Sequence, residues 1–115
     1  MIKIWYKSTC STCHTALALI KKETDEEISL FEYSINAPTQ KEIREILKFL
    51  NLKVEDLIRK KEKLFKEKYA DKKLSKAQWI KVLAENPILI ERPIVVKDGK
   101  AILGRPVQKV VEIFD

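Results

Sequence analysis

A chain of 115 residues with 45% hydrophobic and 35% charged residues has room for one core, hiding roughly two-thirds of its unfolded surface, and not for two. That mixture excludes a disordered chain, and no apolar run approaches the ~20 residues of a membrane span. The formal charge is +6, and Met1–Tyr6 is too short and too β-branched for a signal peptide, so the expected location is the cytoplasm.

Ile2, Ile4 and Tyr6 alternate with Lys3, Trp5 and Lys7, which predicts an opening strand. Ser8-Thr9 break the pattern. Cys13, Ala16, Leu17 and Ile20 then recur at helical spacing until about Thr24-Asp25. Ile28, Leu30, Phe31 and Tyr33 predict a second, less regular strand. Asn36-Ala37-Pro38-Thr39 turns the chain, and Thr39 with Glu42 three residues on makes a capping box for a helix carrying Ile43, Ile46, Leu47 and Leu50. Val54 to Tyr69 reads as two short helices with a joint between them. Ser75 caps a helix whose apolar face holds Trp79, Ile80 and Leu83, and Asn86-Pro87 ends it. Pro93–Val96 and Ala101–Leu103 are strands joined by the hairpin signal Asp98-Gly99. Pro106 suits the first position of a last helix carrying Val107, Val110, Val111 and Phe114.

This order predicts an α/β fold with a four-stranded mixed sheet and flanking helices. It is the order of a single thioredoxin-like domain over 1–115, with 39–86 a mostly helical insertion between the βαβ and ββα halves.

The charge is uneven. Arg59 to Lys73 holds eight bases against three acids, nearly the whole excess. Such a run is either a solvated lysine-rich face or a surface for an anionic substrate, an acidic protein or nucleic acid; no nucleic-acid recognition motif accompanies it.

Two cysteines are too few for a secreted disulfide scaffold. With one histidine they are also too few for a structural zinc site, and no metal or cofactor is expected. Cys10-Ser11-Thr12-Cys13 falls where the first strand hands over to the first helix. Unpaired N–H groups at a helix start favour a thiolate there. Cys10 therefore reads as a nucleophile and Cys13, one turn inside, as a resolving thiol, with Lys7 and His14 as nearby sources of positive charge. The competing reading is two small buried hydrophobes.

Ile88–Val96 with Arg92-Pro93, followed by Gly104-Arg105-Pro106 and preceded by Asp56-Leu57-Ile58-Arg59-Lys60, resembles the arsenate reductase family, whose fold is thioredoxin-like. The resemblance covers essentially the whole chain. It implies attack of a Cys10 thiolate on arsenate or a related substrate, with Arg59, Arg92 and Arg105 holding the oxyanion. It implies a cis peptide at Arg92-Pro93, with Pro93 bordering the active cysteine. It also implies a thiol reductant as partner, such as glutathione with glutaredoxin, or thioredoxin, and a monomer with no membrane partner. The chemistry agrees, because guanidinium forks match tetrahedral oxyanions, and only four arginines occur, Arg44 being the other.

The chain departs from the glutathione-dependent pattern. Ser11-Thr12-Cys13-His14 replaces Gly-Thr-Ser-Arg, Tyr6 stands where the family has a histidine, and Lys7-Ser8 replaces Asn-Pro. The Cys-x-x-Cys pair also resembles Spx, a redox-sensing transcriptional regulator of the same family that binds RNA polymerase. Arg105 in its Gly-Arg-Pro setting and the chain's short C-terminal end favour the reductase branch.

Overall fold

The computed structural model describes residues 1–115, and the chain divides into two units, Met1–Asn36 with Arg92–Asp115, and Ala37–Glu91.

In the first unit, β1 (Ile2–Tyr6) is a central strand, paired in parallel with β2 (Ile28–Glu32) and antiparallel with β3 (Ile94–Lys97). β3 continues antiparallel into β4 (Lys100–Leu103), giving the order β2-β1-β3-β4. The two-residue period of β1 sorts its side chains. Ile2 and Ile4 face a core built with Val95 of β3, Ala16 and Ile20 of helix α1 (Ser11–Glu23), and Val110 and Ile113 near the C-terminus. Each fully buried isoleucine there contributes about 1.5–3 kcal/mol of hydrophobic stabilisation. On the other face Trp5 meets its register partner Phe31 edge-on at 5.0 Å, and the Lys3 ammonium sits 4.7 Å above the same ring.

The β3–β4 turn fits the hairpin signal: Asp98 and Gly99 both have positive φ, 50° and 75°, which matches the right-handed twist of the strands. Beyond Leu103 the expected α-helix is instead a 3₁₀ segment, Val107–Phe114. Val107, Val110 and Ile113 recur every third residue, and a three-residue turn stacks them on one face. Val110 and Ile113 are buried, whereas Val111 and Phe114, expected in the apolar stripe, are only half-buried. Pro106 precedes that segment rather than opening it. Both Arg92-Pro93 and Arg105-Pro106 are cis, the first as the resemblance implies.

In the second unit, α2 (Gln40–Leu50) starts on the Thr39/Glu42 box, with both reciprocal bonds formed at 2.9 and 3.1 Å. It packs its Ile43, Ile46 and Leu47 face against α4 (Lys76–Glu85). α4 has its own box from Ser75 and Gln78. The stretch expected to hold two short helices contains a single 3₁₀ turn, Val54–Leu57, and the six-residue α3 (Lys63–Lys68). Its joint is pinned by an antiparallel bridge between Ile58 and Ile90, with Arg59 N–H donating to the Leu89 carbonyl at 2.7 Å and Glu91 N–H to the Leu57 carbonyl at 2.8 Å.

Gly104 is a contact glycine. Its N–H donates to the Pro93 carbonyl at 2.8 Å, and an added Cβ would lie 2.8 Å from Pro93 Cγ and 2.9 Å from Val110 Cγ1. Neither neighbour is the free end of a long side chain. Gly104→Ala should therefore destabilise the chain by about 1–3 kcal/mol through overpacking. A urea titration checks this, and an unchanged midpoint would show that the Pro93–Val110 contact can open without cost.

Candidate thiol site

The site is built at the end of β1. The chain leaves the strand at Tyr6 and turns through Lys7-Ser8-Thr9, closed by a Cys10 N–H to Lys7 carbonyl bond of 2.9 Å. Glu32, the last residue of the neighbouring strand β2, holds that turn. One carboxylate oxygen accepts from the Ser8 N–H at 2.8 Å and the other from the Ser34 hydroxyl at 2.7 Å. Burial raises the Glu32 carboxyl, but these bonds outweigh it and leave it below the ordinary value. From the other side, His14 on the first turn of α1 reaches back through Nε2 to the Ser8 carbonyl.

Cys10 is thereby set at the N-cap of α1, in extended backbone and without a side-chain capping hydrogen bond. The first N–H groups of the helix have no intrahelical acceptor, so they present partial positive charge at this end. Cys13 lies on the buried stripe with Ala16 and Ile20 and is 1% exposed, while Cys10 is half-buried; both are free thiols.

The two sulfurs are electrostatically opposite. For Cys10, burial is the largest influence and raises the thiol. Polar contacts with the Cys13 thiol and backbone N–H, together with the hydrogen-bonding and charge of Arg92, reverse that and hold it below its ordinary value. For Cys13, burial again acts first and raises it. The Lys7 N–H and the charge of Arg92 lower it, Cys10 raises it further, and the balance pushes Cys13 up to about 12. At neutral pH the pair is one activated sulfur beside one protonated thiol.

Arg92 is the cation of this site. It is 8% exposed, at the entry to β3 beside cis Pro93. Its guanidinium faces Cys10 on one side and the phenol of Tyr33 on the other. Desolvation, acting first, disfavours its charge, but these two partners more than restore it. Tyr33 is wholly buried and fixed by Trp5, ring to ring at 6.1 Å. The Arg92 Nε–H has no hydrogen-bond partner, leaving one buried donor at the site. Arg105 is exposed after β4 and its Nε donates to the Arg92 carbonyl at 2.8 Å.

The structure thus brings Cys10, Cys13 and Arg92 together, with Pro93 following Arg92 and Arg105 bonded to its main chain. Arg59 stands in the second unit, where its Nε and Nη1 are each 3.1 Å from a carboxylate, of Glu62 and Glu91 respectively. Glu32 and Tyr33 were not singled out from the sequence. Their only signal there is position, at the end of the strand beside the Cys10 turn. No group of three or more His, Cys, Asp or Glu side chains is placed to hold a metal ion, and no helix is long and apolar enough to cross a membrane.

Comparison with known proteins places the whole chain in a family. The ArsC family model matches residues 5–113. The uncharacterized protein YfgD of Escherichia coli K12 is 40% identical, covering 97% of this chain and 95% of its own length. An arsenate reductase of Haemophilus influenzae is 36% identical over 96% of this chain and 97% of its own. The solved structure of an arsenate reductase from Vibrio cholerae superposes with a TM-score of 0.91 at 35% identity, covering 97% of this chain and 96% of that one. The four-stranded mixed sheet with its flanking helices is the thioredoxin-like fold of these neighbours, and the chain belongs to the ArsC family.

Proposed function

We propose that this protein is a cytoplasmic thiol-dependent reductase of arsenate or a closely related oxyanion. The observation that carries the reading is the asymmetric thiol pair, with Cys10 lowered beside Arg92 and Cys13 raised inside the helix. The relatives described as arsenate reductases support the substrate class.

In the proposed reaction the Cys10 thiolate attacks arsenic(V). An S–As bond forms, an As–O bond breaks, and the oxygen leaves as water after taking up protons. Arg92 balances the charge on sulfur and then on the bound oxyanion. Arg59 and Arg105 enter as further oxyanion ligands on the family resemblance, Arg59 held by Glu62 and Glu91, and Arg105 bonded through Nε to the Arg92 carbonyl.

In the adduct the negative charge has moved from the Cys10 sulfur to the arsenate oxygens, where Arg92 balances it. Cys13 gives up its proton to solvent as it attacks the Cys10 sulfur. The S–S bond forms, the S–As bond breaks with its electron pair going to arsenic, and arsenite leaves as arsenic(III). Two thiols have become one disulfide. An external thiol reductant, glutathione with glutaredoxin or thioredoxin, supplies the two electrons that reopen it. Under the Spx-type alternative the same disulfide would be a sensor state, with the basic run Arg59–Lys73 facing RNA polymerase.

Two outcomes are expected. Iodoacetamide at about pH 6 should modify Cys10 and spare Cys13, because a lowered thiol keeps its thiolate in more acidic solution. Arg92→Ala should move the midpoint of that pH profile upward, since it removes the balancing charge. Equal labelling of both cysteines at all pH values would remove the asymmetry on which the reading rests.

In arsenate turnover, Cys10→Ser should be inactive, and Cys13→Ser should stall as an adduct unless free thiol is added. Arg92→Lys should lose about 2–4 kcal/mol of transition-state stabilisation, whereas exposed Arg44→Lys on α2 should lose none. Absence of turnover with both glutaredoxin and thioredoxin, alongside capture of RNA polymerase, would favour the regulator.

A further inference from the structure

The lysine run left unassigned above folds around a cavity. α3 and the loop that follows it enclose, with α4, a half-open pocket of about 460 Å³, within the range of small-molecule sites. Its floor is aromatic. Phe65 and Trp79 lie nearly parallel, with centroids 6.1 Å apart and planes at 22°, and Tyr69 leans on Trp79 at 5.8 Å and 57°. Trp79 is 5% exposed, so the indole is a wall of the cavity rather than a surface flag.

The mouth is cationic. Lys60, Lys72 and Lys73 line it, all exposed, against the single acid Glu55. None of the three has a carboxylate within 4.0 Å, as holds for every lysine of the chain except Lys63 and Lys97, so their charge at the pocket is not neutralised. Lys72 Nζ instead stands 5.9 Å from the Tyr69 ring centroid.

We propose that this pocket binds a small organic anion with a flat unsaturated body, an aryl or heteroaryl phosphate or carboxylate. The ring packs on the Phe65–Tyr69–Trp79 floor, where aromatic faces reward flat apolar area. The anionic group meets Lys60, Lys72 and Lys73, whose charges no protein carboxylate neutralises. Lysine suits this task, because a compact cation on a flexible stem follows an anion without imposing a fork geometry. The packing argues against single-stranded nucleic acid, which uses a series of open stacking faces along a groove, whereas these three rings pack on one another beside a single pocket. The site is independent of the thiol chemistry, and none of its lining residues is a residue of the thiol site.

The test titrates 1-naphthyl phosphate into the full chain, followed by ¹⁵N-resolved NMR and calorimetry. Saturable binding is expected, with the largest shifts at the Trp79 indole N–H and the Lys72 and Lys73 amides. Inorganic phosphate and 1-naphthalenemethanol, which carry only the charge or only the ring, should each bind about tenfold more weakly. The double variant Lys72→Glu/Lys73→Glu changes only exposed side chains. It should weaken 1-naphthyl phosphate about tenfold and leave the Cys10 alkylation rate unchanged, which separates this result from any failure of the arsenate reading. Four results would each overturn the proposal: no saturation by about 10 mM, shifts centred on Cys10 and Arg92, equal affinity for inorganic phosphate, or tighter binding of polyglutamate or oligonucleotide with the Trp79 signal unmoved.

Discussion

Two sulfurs three residues apart must be driven in opposite directions, Cys10 below its ordinary value and Cys13 above it. The first unit meets this constraint with burial and one guanidinium. Burial alone would raise both thiols, and for both it is the largest influence. The difference comes from where each sulfur sits. Cys10, at the helix cap, is reached by Arg92 and by the Cys13 polar groups, whereas Cys13, one turn inside, is packed on the stripe that faces the sheet. Moving Cys13 by one position would turn it roughly 100° around the helix, off the buried stripe and toward the half-buried or exposed positions of Thr12 and His14.

Arg92 could not be buried without partners, since an uncompensated charge in a protein interior costs several kcal/mol. Tyr33 and Cys10 are the partners of the guanidinium, and the main chain at Arg92 is fixed separately, its carbonyl accepting from Arg105. The next residue, Pro93, is held by Gly104, whose missing Cβ lets the two segments close to contact distance. The sequence pairs Arg92-Pro93 and Gly104-Arg105-Pro106 are therefore one structure: the second supplies the close approach and the bond that fix the first. Tyr33 does the equivalent from β2, and its burial against Trp5 ties Arg92 to the far face of the central strand.

Much of this was legible in the sequence because it is written in local patterns. The alternation of β1, the Thr39/Glu42 box and the Asp98-Gly99 turn each depend on residues within a few positions of one another, and each forms as expected. The closeness of the two cysteines is local in the same way, Cys10 at the cap of α1 and Cys13 one turn inside it. What the sequence hid depends on distant partners. Nothing near Tyr33 indicates that its hydroxyl meets Arg92, and nothing near Arg59 indicates that Glu91, 32 residues on, shares its guanidinium with Glu62. The last segment misled for a different reason. Val107, Val110, Val111 and Phe114 satisfy the α-helical period while Val107, Val110 and Ile113 satisfy the 3₁₀ period, and packing beside Ile2, Ile4 and Val95 decided for the second.

The division between arginine and lysine in this chain follows the same physics. Of 23 basic residues only four are arginine, and three of them are held by specific bonds: Arg59 between two carboxylates, Arg92 between Tyr33 and Cys10, Arg105 on a carbonyl. A planar fork loses little further freedom once so placed, which is where a fixed direction toward a tetrahedral anion matters. Lysine takes the positions where charge suffices. Lys60, Lys72 and Lys73 surround an aromatic hollow without a carboxylate partner among them, and their long side chains keep their freedom until an anion arrives. A guanidinium in their place would bring more donors but a fixed geometry, and that geometry would select against ligands whose anionic group enters at varied angles. The two residues thus separate by setting: arginine where a fixed geometry is bonded in place, lysine where charge alone is presented.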